Sequence, residues 1–122
     1  MRYVKLLHHL TLFNEANQYL IQLSKKMPVG IIQLQIYFPQ VQSLKGKRHL
    51  IKPLINDLQK KFHVSVAETG KQDVWKNCEL LIAVASSDAV QIEKIEQRLI
   101  EFIEHHWAET YITSNEMEII FE

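Results

Sequence analysis

One short segment near the middle of the chain carries residues that suit phosphate binding. SLKGKR, residues 43–48, places Lys45, Lys47 and Arg48 around a glycine at the predicted start of a helix, and Lys52 follows on the same helix. Free backbone amides at a helix start add hydrogen-bond donors for an anion. The segment lacks the longer Gly-rich turn of a P-loop, so it predicts a basic surface and not a nucleotide pocket. Solvated lysines without a ligand are the alternative.

A second segment adds cations around an aromatic residue. GKQDVWK, residues 70–76, contains Lys71, Gln72, Trp75 and Lys76. An exposed indole between cations could stack on an unpaired base, which contributes about 1 to 3 kcal/mol per base. Alternatively, Trp75 folds back and closes one end of the core. The large gain from burying a tryptophan favours the second interpretation.

Charge is unevenly distributed along a chain whose net charge is zero. Residues 45–76 carry eight basic and three acidic side chains, whereas residues 77–122 carry two basic and ten acidic ones. This asymmetry favours one surface that attracts polyanions and another that repels them. Two solvated faces of different charge, without any ligand, would produce the same pattern.

The residues that most often perform catalysis or bind metals do not form a recognisable set. His8 and His9, like His105 and His106, are adjacent pairs, which a helix would point about 100° apart. Cys78 opens an apolar strand, where a thiol is usually inert. We therefore expect a non-enzymatic protein without a metal or other cofactor.

Composition predicts one globular domain in a reducing compartment. The chain has 122 residues, of which 47% are hydrophobic and 23% charged. This is enough to bury a core without disulfides. A single cysteine excludes an intramolecular disulfide, and the apolar runs are too short to span a bilayer. We expect a cytoplasmic protein.

Hydrophobic periodicity predicts the element order β-α-β-β-α-β. The predicted elements are a strand at 29–38, a helix from about 43 to 62, a strand around 64–66, a strand at 78–86, a helix from 88 to about 107 and a strand at 116–122. This order is that of a ferredoxin-like α+β two-layer sandwich, with an antiparallel four-stranded sheet and both helices on one face. The first and third strands should be central.

Two residues in the first helix bear on where it begins. Ser43 is a candidate N-cap, whereas Pro53 lies inside the helical pattern. We expect either a kink at Pro53 or a helix that starts later than Ser43. Asp88 is the corresponding candidate cap of the second helix, whose outer face is acidic.

Residues 1–26 lie outside this plan, and the ferredoxin-like domain is predicted to span 27–122. Apolar residues at helical intervals predict an amphipathic helix in the extension: Leu6, Leu7, Leu10, Phe13 and Leu20 among them. Its apolar side could cover the free face of the sheet. The alternative is a loose extension ahead of the domain.

Three segments together resemble a family of small bacterial proteins of unknown function, YlxP. They are SLKGKR at 43–48, VSVAE at 64–68 and QDVW at 72–75, in matching order and spacing. The resemblance implies a ferredoxin-like fold and no known activity. Residues 1–26 have no counterpart in the family pattern, and Cys78 stands where a small residue is usual. Family members are often encoded beside genes for translation and ribosome maturation, which makes RNA a candidate partner by association only.

The leading hypothesis is a non-enzymatic, RNA-binding or ribosome-associated protein. Its predicted RNA-binding residues are Lys45, Lys47, Arg48, Lys52, Lys71, Gln72, Trp75 and Lys76. The second hypothesis is a homodimerising protein-interaction module that does not bind nucleic acid. Both hypotheses exclude a membrane partner.

Overall fold

A computed structural model describes residues 28–107 and 109–121 of the chain. Its elements, in order, are β1 (Pro28–Tyr37), α1 (Leu44–Phe62), β2 (Ser65–Gly70), β3 (Asn77–Ala85), α2 (Ala89–His106) and β4 (Tyr111–Phe121). The order agrees with that predicted from hydrophobic periodicity. The predicted helical extension over residues 1–26 lies outside the described residues.

The four strands form one antiparallel sheet in the order β2-β3-β1-β4. This order confirms both the ferredoxin-like α+β prediction and the central position of the first and third strands. β4 lies at an edge, as its many charged residues suggested.

The core lies between the sheet and the two helices. Alternate residues of the central strands are buried and face one another: Ile32 pairs with Ile82, and Leu34 pairs with Leu80. Both helices contribute buried residues to the same cluster, namely Ile51, Leu54 and Leu58 from α1 and Ile92, Leu99 and Ile103 from α2. Burial on one side of each element fixes which face of the sheet the helices cover.

Side-chain caps define where both helices begin. The Ser43 hydroxyl accepts a hydrogen bond from Gly46 N at 2.9 Å, and the Asp88 carboxylate accepts one from Gln91 N, also at 2.9 Å. Both cap predictions are therefore confirmed, and α1 begins at Leu44, directly after its cap Ser43. Pro53 lies within α1 with its side chain exposed. Neither helix in this described part is long and apolar enough to cross a membrane.

β4 begins five residues earlier than predicted. Its pairing with β1 shifts register between Gln35 and Ile36, which indicates a bulge. Ile112 and Met117 both pack against the core although they are five residues apart, an odd number that a regular strand would place on opposite faces. The bulge breaks the period-two pattern, and this is why the prediction recognised only the second part of the strand.

Candidate nucleic-acid interface

The two cationic segments lie at the same end of the sheet. Tyr37, the last residue of β1, pairs with Asn77, the first residue of β3, so the loops 38–43 and 71–76 leave the sheet side by side. The backbone amide of Phe38 donates to the carbonyl of Lys76 at 2.7 Å. This hydrogen bond joins the loop that precedes SLKGKR to the last residue of GKQDVWK.

Lys47 is not on this surface, so its predicted role as an RNA contact is wrong. Its side chain is only 1% exposed. Its ammonium donates to the carbonyl oxygen of Lys71 at 2.6 Å and lies 2.9 Å from Oε2 of Glu68. The ion pair is not an aligned hydrogen bond, since Oε2 has no hydrogen-bond partner among the described residues. Lys47 holds the loop that follows β2 against the start of α1.

The spacing of α1 contains a signal for the burial of Lys47. Ile51, Leu54 and Leu58 define the buried side of α1, and Lys47 lies four residues before Ile51 on that same side. The helical pattern therefore places Lys47 with the core residues and away from the exposed cations. Only the tertiary structure supplies the carboxylate and the carbonyl that make this burial tolerable.

Cys78 lies next to this buried pair. The pKa of its thiol is raised from 9.0 to about 12, first by burial and then by the nearby carboxylate of Glu68, whose effect exceeds the opposing effect of the Lys47 ammonium. The thiol is therefore neutral at physiological pH, and the side chain is buried. This agrees with the prediction of an inert cysteine.

The outer side of α1 forms a basic groove. An open groove of about 370 Å³ lies here, and the described residues that line it are Lys45, Arg48, His49, Lys52 and Pro53. All five side chains are exposed. Three permanent cations within two turns of helix make this groove suited to oxygen anions such as phosphates.

The loop between β2 and β3 adds two more cations. Lys71 and Lys76 are both exposed, although the ammonium of Lys76 also donates to the carbonyl of Pro39 at 2.8 Å. Gln72 uses its side-chain amide to donate to the backbone carbonyl of Glu68 at 3.0 Å, so it is committed to the shape of the loop. Asp73 is also exposed and reduces the positive charge of the loop.

Trp75 lies on the surface, so the prediction that it closes the core is wrong. The side chain is 51% exposed, and its neighbour Val74 is 44% exposed. That end of the core is filled by Phe38, which is 2% exposed, and by Val41. These two side chains follow β1 directly and belong to the core, whereas the indole lies outside it.

Six of the eight predicted RNA-binding residues are exposed and lie on α1 or on the loop between β2 and β3, although Lys76 also donates to the carbonyl of Pro39. They are Lys45, Arg48, Lys52, Lys71, Trp75 and Lys76. Lys47 and Gln72 instead hold the loop in place. The combination of several exposed cations with one exposed indole is typical of surfaces that bind single-stranded nucleic acid.

The ferredoxin-like α+β fold and this basic end define a small domain without an evident catalytic centre among its described residues. The family model described as "Protein of unknown function (DUF503)" matches residues 29–117. Because that match covers most of the chain, the protein belongs to this family.

Two further comparisons place the chain among known proteins. It is 38% identical over 76 residues to "Uncharacterized protein YlxP" of Bacillus subtilis (strain 168), which covers 62% of this chain and 83% of that protein. The relationship confirms the resemblance to YlxP. A solved structure, "De novo designed protein Foldit4", is similar with a TM-score of 0.45 and 18% identity over 79% of this chain and 98% of that one. That likeness is too distant to carry an argument.

Proposed function

We propose that this protein binds RNA, without catalysing a reaction, through a basic end surface formed by Lys45, Arg48, Lys52, Lys71 and Lys76. The observation that carries the proposal is the junction between the two cationic segments. Lys47 and the backbone of Phe38 tie them together, and the other five cations are exposed, although the Lys76 ammonium also donates to the carbonyl of Pro39. The ribosome, or ribosomal RNA, is the partner that we propose.

The distribution of charge supports a polyanionic partner. The cations of the basic end surface come from the segment with an excess of positive charge, whereas α2 and β4 belong to the strongly acidic segment. A polyanion would be attracted to one side of the molecule and repelled from the other, which orients the encounter. Phosphate contacts would then supply most of the affinity.

The state of Cys78 supports a non-enzymatic role in a reducing compartment. A thiol with a pKa near 12 is neutral at physiological pH and is a poor nucleophile. A cytoplasmic location suits a protein whose only cysteine is buried and unpaired.

The test is a titration of ribosomal RNA fragments with the full chain at several salt concentrations. We expect the logarithm of the affinity to fall linearly with the logarithm of the salt concentration. Replacing Lys52 by Ala should weaken binding and reduce this slope by about 0.7 if one phosphate contact to a single strand is lost. Lys94→Ala, which removes the same charge from the exposed side of α2, is the matched control and should change neither quantity.

Affinity that does not depend on salt would contradict the proposal, and so would equal losses in the two variants. Sedimentation of the free protein tests the second hypothesis, the homodimerising protein-interaction module. A dimer that binds no RNA would favour the protein-interaction module.

A further inference from the structure

Resting on the proposed function, we infer that the loop carrying Trp75 is a preformed platform for one unpaired nucleotide, so that the protein selects single-stranded RNA over duplex RNA. The inference starts from the exposure of Trp75 and Val74, at 51% and 44%. Two adjacent apolar side chains in solvent give up the stabilisation that burial would provide. A flat, accessible indole is a surface on which every base can stack.

The platform is held by contacts on both sides of Trp75. Before it, Gln72 donates to the carbonyl of Glu68 at 3.0 Å, and the amide of Val74 donates to the carbonyl of Lys71 at 3.0 Å. The Lys71 carbonyl also accepts from the buried ammonium of Lys47 at 2.6 Å.

After Trp75, the next residue is fixed at both its backbone and its side chain. The carbonyl of Lys76 accepts from the amide of Phe38 at 2.7 Å, and its ammonium donates to the carbonyl of Pro39 at 2.8 Å. Within this loop, Gln72 is therefore tied to β2, Lys71 to α1 and Lys76 to the loop after β1. A loop that is ordered before binding loses little conformational freedom when a ligand arrives.

Exposed cations precede and follow the indole along the chain. Lys71 lies four residues before Trp75 and Lys76 directly follows it, and both are exposed. Lys71 has a φ of 57°, in the left-handed region, where the chain turns sharply at the end of β2. Cations on both sides of an aromatic ring can contact the phosphates that flank a stacked base.

Only an unpaired base can use this platform. In A-form duplex RNA the faces of the bases are stacked on one another, and proteins contact mainly the phosphates and the 2′-hydroxyl groups. A duplex would still meet the cations of the basic end surface but would leave Trp75 without a partner. The indole therefore contributes a difference in affinity between the two forms of RNA.

The experiment compares a single-stranded oligoribonucleotide with a blunt duplex of the same length, in the background Trp107→Phe. The chain has two tryptophans, so this background leaves Trp75 as the only one. We expect the single strand to quench the fluorescence of Trp75 and the duplex to leave it nearly unchanged. For affinity, Trp75→Ala should weaken single-strand binding by about 5- to 150-fold, the range that corresponds to one stacked base.

Two further variants test whether the loss of affinity in Trp75→Ala is due to the aromatic face of the indole. Trp75→Phe keeps an aromatic face and should retain most of the single-strand affinity. Val90→Ala removes an exposed apolar side chain from the start of α2 and should have no effect. All variants should show the same dependence on salt, since none of them removes a cation.

The outcomes separate this inference from the proposed function. If Trp75→Ala weakens both RNAs equally, or neither, while binding stays dependent on salt, the platform is refuted and the basic end surface stands. If neither RNA binds in a salt-dependent manner, the proposed function itself fails, and the platform fails with it.

Discussion

The ammonium of Lys47 lies 2.9 Å from Oε2 of Glu68, and this pair joins the start of α1 to the end of β2 inside the protein. The two residues belong to SLKGKR and VSVAE, two of the three segments by which the sequence resembles the YlxP family. Gln72, from the third segment, donates to the backbone carbonyl of Glu68. The three segments meet at one place because together they build the end of the sheet that carries the exposed cations and Trp75.

Replacing Lys47 by Met should destabilise the protein by about 3 kcal/mol. The change leaves the carboxylate of Glu68 without its cation and removes the hydrogen bond to the Lys71 carbonyl. Urea unfolding followed by circular dichroism would measure the loss. Lys45→Met, on the exposed side of the same helix, should stay within about 0.5 kcal/mol of the unchanged protein.

A double variant tests whether the uncompensated charge of Glu68 causes the loss of stability in Lys47→Met. Replacing Lys47 by Met and Glu68 by Leu together removes both charges, and it should recover much of the stability lost in Lys47→Met alone. Losses that simply add would show that the two side chains are not coupled.

Ionisation of Cys78 should destabilise the protein at high pH. The folded-state pKa, about 12, is above the ordinary value of 9.0, so the neutral thiol is favoured by folding. Its contribution to the free energy of unfolding is complete below pH 9 and is lost as the pH rises toward 12, by up to about 4 kcal/mol. Unfolding free energies measured from pH 8 upward should decline less steeply for Cys78→Ala. Parallel profiles for the two proteins would contradict this prediction.

Glu96→Gln should stabilise the protein at neutral pH. Partial burial raises the pKa of this carboxyl above 4.5, and the nearby carboxylate of Glu93 raises it further. The folded protein therefore favours the protonated form, and the stability that this form provides is present below pH 4.5 and lost as the pH rises through the folded-state pKa. Thermal unfolding at pH 7 should show a higher Tm for the variant, and the advantage should disappear below pH 4.5.

The same substitution at Glu104 is the control for Glu96. Glu104 is an exposed residue on α2, so Glu104→Gln should change the free energy of unfolding by no more than about 0.5 kcal/mol at pH 7. An equal gain in both variants would point to the net charge of α2 and not to the burial of Glu96.

Gly30→Ala should destabilise the packing of α2 on β1. A Cβ at this position would meet the side chain of Ile92, which is completely buried. Overpacking of this kind costs about 1 to 3 kcal/mol. The effect of Gly30→Ala should be much smaller in an Ile92→Ala background, where the obstructing atoms are gone, and denaturant unfolding of the four proteins of this cycle would measure the difference. An equal loss in both backgrounds would contradict the proposed contact.

The order of elements and both helix caps were predictable because each depends on short-range chemistry, and the strand positions followed from the ferredoxin-like plan that this order matches. Alternation in β1 and the caps Ser43 and Asp88 follow from residues a few positions apart. The early start of β4 was not predictable, since its bulge arises from pairing with β1, a segment distant in sequence.

The sequence by itself determined which residue types are available at the basic end, whereas the tertiary structure decided what each of them does. Lys47 is buried because Glu68 and the Lys71 carbonyl, both more than 20 residues away, compensate its charge. Trp75 is exposed, whereas Phe38 and Val41, from the loop beside it, supply the buried side chains. Composition favours burying a tryptophan and exposing a lysine, but the space and the partners that reverse these preferences exist only once distant segments have packed together.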